Sequence, residues 1–246
     1  MLPTEIKIKH WKNAFYWSLL FLVLWGIYFY FWQGFFNFGS FVSILASTAA
    51  VMIAISFLFG TFTFYTDFLD RHLAYRKYFG LVGYWYLVLH FILVTILNPT
   101  KNIIEPLRGN LSRDQVLGLT ALLVLTFMMA ISHETAMVKI GPKLWRSCLR
   151  LGYLIYPLLI LRAFGLEGHL WRQLFSGETL LPPPSLMASI LALFVILFRL
   201  SVYPVKLIRK IFYTEKDKLV TAHDAHPDEP SHPDFLHPVT GPTSGK

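Results

Sequence analysis

Residues Leu81–Leu97 read LVGYWYLVLHFILVTIL, a run without one charged residue and with a single histidine, His90. As a helix the run is about 25 Å long at 1.5 Å per residue. That falls within the ~17–25 apolar residues needed to cross a bilayer. An imidazole in hydrocarbon is costly without a partner, so an intramembrane histidine is a functional-site candidate. Four roles are open to His90: a haem ligand, a structural hydrogen bond to a neighbouring helix, a proton or quinone site, and a ligand to a non-haem metal.

The chain on either side of this run has the same character. Hydrophobic residues make up 55% of the 246 positions and charged residues 15%, against about 25% charged in soluble domains. Mean hydropathy is +0.52. Six stretches predict an all-α integral membrane protein: Ala14–Trp32, Phe41–Tyr65, Leu81–Leu97, Gln115–Ile131, Leu149–Leu166 and Ser185–Ile208. In the second, Ala46, Ala50 and Ala54 recur every fourth residue, a spacing that lets another helix approach closely. Pro157 interrupts the fifth, which also carries Arg162, and Arg199 lies towards the end of the sixth. The first span is too long for a signal-peptide core and has no small-residue cleavage site.

Charge predicts the orientation. Sixteen Lys and Arg flank one side, in residues 7–12, 71–77, 139–150 and 206–246, against five on the other: Lys101, Arg108, Arg113, Arg162 and Arg172. The positive-inside rule then places both termini in the cytoplasm. The expected organisation is a cytoplasmic N-terminus over 1–13, a six-span domain over 14–213 and a disordered polar tail over 214–246. That tail scatters His223, His226, His232 and His237 among Asp, Pro and Ser, with nothing to preorganise them around a metal. The net charge of +8 fits basic loops against anionic headgroups rather than nucleic acid. The expected partner is the lipid bilayer.

Two segments carry a more specific pattern. Arg76-Lys77 and Gly80-Leu81 precede Tyr86-Leu87-Val88-Leu89-His90, and Ile140-Gly141 precedes Trp145, Arg150-Leu151 and Tyr153. In spacing and order these segments resemble the ferric reductase-like transmembrane domain family, closest to its MsrQ/YedZ-type haem-binding membrane subunits. The resemblance spans about residues 46–162, allowing one extra residue between Gly141 and Trp145. It implies a b-type haem held between histidines of the third and fifth spans, with His90 as the third-span axial ligand to the iron. It also implies a bacterial cytoplasmic (inner) membrane and a separate redox partner protein. The fifth-span positions depart from the family: Leu149 and Arg162 stand where it has histidines. Leucine has no donor atom, and a guanidinium stays protonated.

The resemblance therefore predicts a membrane-embedded redox subunit that passes electrons across the membrane. Its alternative is a haem-free, degenerate member acting as a scaffold or assembly partner. Candidates for a second axial ligand are Cys148, His133 and His72. Cys148 lies between Arg146 and Arg150, and nearby cations favour a thiolate. Arg162 is a candidate contact for an anionic group such as a haem propionate or lipid phosphate, although arginines near span ends also snorkel to headgroups. The basic run Lys139–Arg150 could dock a flavin. No strand–glycine loop–helix unit for a nucleotide is present, so electrons would come from a separate flavin protein or from a quinol. No catalytic residue is assigned, and a transporter is disfavoured because no inverted repeat is evident.

Overall fold

The computed structural model describes residues 4–66, 73–132 and 134–205. The expected disordered tail, His72 and His133 lie outside the described residues. Met1–Val202 form one compact unit, and the fold below is that unit's. From Tyr203 a second unit begins, described only through Val205.

All described secondary structure is helical. The order is α1 (Thr4–Gln33), α2 (Phe38–Phe62), α3 (Leu73–Leu97), a π turn at Thr100–Ile104, α4 (Glu105–Leu107), α5 (Arg113–Ile131), α6 (Glu134–Ile140), α7 (Pro142–Arg150), a 3-10 turn at Leu151–Leu154, α8 (Ile155–Phe175) and α9 (Pro184–Leu200). Among the described residues six helical stretches are long and apolar enough to cross a membrane: Thr4–Gln33, Phe38–Phe62, Ala74–Leu97, Arg113–Ile131, Lys143–Phe175 and Pro184–Val205. Each contains or overlaps one expected span. The third helix begins earlier than expected, so Arg76 and Lys77 belong to it rather than to a loop.

Local sequence sets the helix ends. The Asn37 side chain accepts from the Ser40 backbone N–H at 2.7 Å and caps α2. Ser112 and Gln115 form a reciprocal capping box at the start of α5, which satisfies two otherwise orphan N–H groups. The fifth span is interrupted by the 3-10 turn Leu151–Leu154, which holds Tyr153, the residue four before Pro157 whose carbonyl a proline cannot bond. Pro157 is the third residue of α8, where its missing N–H would have no intrahelical partner anyway.

α2 is the hub and packs on α1, α3 and α9, while α8 packs on α5 and α9. Its apolar window is 61% buried, against 28% or less in the other five. It therefore faces protein, whereas the others leave residues such as Phe31, Trp85 and Phe164 exposed, as lipid-facing side chains would be. Small residues permit the closest contact, between α2 and α3. A Cβ on Gly83 would lie 2.8 Å from Ile53 Cγ1 and 3.1 Å from its backbone N, and one on Gly80 would lie 3.0 Å from Ser56 Oγ. The glycines of α3 make this approach. Of the expected alanine row of α2, Ala54 is fully buried and sits in a cluster with Leu125, Ile155 and Val195. Polar pairs add interhelical bonds: Asn13 Nδ2 donates to Tyr75 Oη at 3.0 Å, and Tyr65 and Ser201 share a hydroxyl–hydroxyl bond at 2.6 Å.

Candidate functional site

His90 lies fourteen residues beyond Arg76 on α3, about 21 Å along the axis, and seven residues before the helix ends at Leu97. Its ring is half-buried. Nδ1 lies 2.8 Å from the backbone carbonyl of Val42 on α2. A carbonyl only accepts, so Nδ1–H donates, and in the neutral ring Nε2 keeps the lone pair. The imidazole thus holds one interhelical bond at the α2–α3 seam.

Arg162, from the middle of α8, lies within Coulombic reach of His90. Its Nε donates to Asp114 Oδ1 at 2.6 Å, and the two side chains are 38% and 22% exposed. Asp114 occupies the first turn of α5, where the helix dipole also favours a carboxylate. Gly118, one turn on, makes room: a Cβ there would lie 3.4 Å from Arg162 Nε. The Arg162 guanidinium thus has a carboxylate partner from its own chain. Sequence reading missed Asp114. Its signal was an acid in the first turn of a span.

At the other end of α5 a cavity of about 440 Å³ opens among α2, α3, α5, α7, the 3-10 turn and α9. Four cations line it: Arg76, Lys77, Arg150 and Arg199. The Arg76 guanidinium carbon lies 6.0 Å from the Phe57 ring centre and that of Arg199 5.3 Å from the Tyr153 ring centre. Phe57 and Tyr153 meet edge-on at 4.6 Å. Gly60 admits the arginine: a Cβ there would lie 2.6 Å from Arg76 Nη1. Ser56 Oγ donates to the Arg76 carbonyl at 2.7 Å, and Trp145 Nε1 donates to the Ile131 carbonyl at 2.8 Å. Gly152 lets Phe57 and Met128 pack against the 3-10 turn, since a Cβ there would clash with both.

The sequence candidates therefore separate. Leu149 lines the cavity and His90 does not. Cys148 is a half-buried free thiol beside Leu149 and is not among the lining residues. Among the described residues no three His, Cys, Asp or Glu gather as a metal site. The donor set does not fit a haem ligated by histidines of the third and fifth spans. Of the two fifth-span positions that the resemblance would give to histidines, Leu149 is aliphatic and lines the cavity, and Arg162 is bound to a carboxylate.

No protein-family model matches the chain, and no curated protein matches it significantly. Fold and composition define the class: an all-helical protein with six helices of membrane-spanning length and apolarity.

Proposed function

We propose that the chain is a haem-free member of the ferric reductase-like type that kept the six-span framework and acts as a membrane scaffold or assembly partner. One observation carries this reading. Arg162, at a fifth-span ligand position, is committed to Asp114 at 2.6 Å. A protonated guanidinium cannot donate a lone pair to iron, and its carboxylate partner would be left unpaired if it moved. Both termini face the cytoplasm of a bacterial inner membrane in this reading, which rests on the basic excess of one set of loops and the positive-inside rule.

A second reading has its own support. Metal-bound imidazoles usually donate their other N–H to a carbonyl or carboxylate, which fixes the tautomer. His90 has that arrangement, with Nδ1 on the Val42 carbonyl. In this reading His90 alone ligates a b-type haem through Nε2, and the chain is a redox subunit supplied by a separate flavin protein or by quinol.

Absorbance spectra separate the two. The full chain, expressed with ample haem and purified in detergent, shows no Soret band under the first reading. A Soret band that His90→Ala abolishes would establish the second and overturn the first.

A further inference from the structure

Among the described residues, the cavity at the basic end gathers positive charge without a counter-charge. Arg162 pairs with Asp114 at the far end of α5, and no carboxylate is among the described residues that line the cavity. The nearest acids in sequence to Arg76, Asp67 and Asp70, lie outside the described residues. Arg76 and Arg199 line the same cavity, beside Phe57 and Tyr153, whose rings meet at 4.6 Å. Like charges held together in a low-dielectric wall are costly, and each needs an anion to offset it.

Their geometry leaves the anion-binding edges available. Both guanidiniums lie near aromatic rings, on Phe57 and Tyr153 respectively. Such contacts contribute attraction without neutralising charge. Neither guanidinium donates a hydrogen bond to a described residue, and the N–H fork suits a phosphate. Most of the rest of the lining is apolar, with Leu125, Met128, Met129 and Trp145, beside the hydroxyls of Ser56, Ser132, Tyr84 and Tyr153. A volume of about 440 Å³ falls in the ~300–1,000 Å³ range of small-molecule sites. The site therefore suits an amphiphile with an anionic head and an apolar body.

We infer that this cavity binds a phosphate-bearing amphiphile, its phosphate between Arg76 and Arg199 and its apolar part against Leu125 and Met128. An anionic phospholipid is the favoured source, because basic pockets between membrane helices take such headgroups. A soluble phosphate compound shares the same head chemistry. The inference does not depend on whether His90 holds iron.

Native mass spectrometry of the full chain in detergent tests it, with cardiolipin, phosphatidylglycerol and phosphatidylcholine as probes. The anionic lipids should be retained about tenfold over phosphatidylcholine. Arg76→Gln/Arg199→Gln should erase that preference, while Lys101→Gln, on an exposed loop residue at the opposite end, should leave it intact. Gly60→Ala, which displaces the Arg76 guanidinium and keeps its charge, should weaken retention several-fold and serves if the double variant fails to fold. If micromolar inorganic pyrophosphate displaces the lipid, or binds where no lipid does, and Arg76→Gln/Arg199→Gln abolishes that effect, the natural ligand is a soluble phosphate. Equal retention of neutral and anionic lipids with no pyrophosphate binding would overturn the inference. So would an anionic preference unchanged in Arg76→Gln/Arg199→Gln and Gly60→Ala.

Discussion

The two ends of α5 treat charge in opposite ways. At its first turn Asp114 meets Arg162, with His90, bonded to the Val42 carbonyl, within that arginine's electrostatic reach. At its last turns Met128, Met129 and Ser132 line a cavity into which Arg76, Lys77, Arg150 and Arg199 bring positive charge. The first region answers its polar groups with groups from the same chain. The second sets four cations around a void, with no carboxylate among the described residues that line it. An internally satisfied polar layer in a membrane protein holds helices together. A concave unsatisfied one is arranged for something else to enter.

The strongest test of the satisfied layer is Asp114→Ala. It removes the carboxylate and leaves Arg162 charged among helices. Hydrogen bonds to charged groups contribute about 1.5–3 kcal/mol, and the partial exposure of Arg162 places the loss at the lower end. Thermal unfolding in detergent should show it, and Asp114→Ala/Arg162→Leu should recover part of it. No loss in the single variant would mean that the pair holds nothing together.

His90→Ala should cost less, about 0.6–2 kcal/mol, the range for interhelical hydrogen bonds in membranes. The same unfolding assay reads it. A loss above that range would show that His90 does more than bridge α2 and α3.

Arg199→Gln should be the mildest change. In detergent free of anionic lipid it relieves repulsion with Arg76 and forfeits a contact with Tyr153, so stability should stay within about 0.5 kcal/mol. A loss as large as that from Asp114→Ala would erase the distinction between the two regions.

The helical class was legible because a membrane imposes a simple rule: long, apolar, uncharged runs. The helix ends were less so. α3 extends back past Arg76 and Lys77 because charged side chains can continue a helix beyond the bilayer. The fifth span breaks just ahead of Pro157 because proline donates no bond to the carbonyl four residues back, that of Tyr153, and its ring crowds it. His90 was legible as an isolated imidazole, but its partner was not, since a backbone carbonyl leaves no mark in sequence. Asp114 and Arg162 lie forty-eight residues apart, and the Arg76–Phe57–Tyr153–Arg199 arrangement draws on four separate elements. Neither forms a local pattern. Gly60 was also passed over, because the space it provides becomes visible only once α3 is packed on α2.

In the proposed haem-free reading, the layer containing His90 needs no iron. Oxidised and dithionite-reduced absorbance spectra of the purified full chain, expressed with ample haem, address it directly. The account predicts no Soret band in either state, for the wild type and for His90→Ala alike. A Soret band in the wild type that disappears in His90→Ala would contradict it and return His90 to the role of an iron ligand.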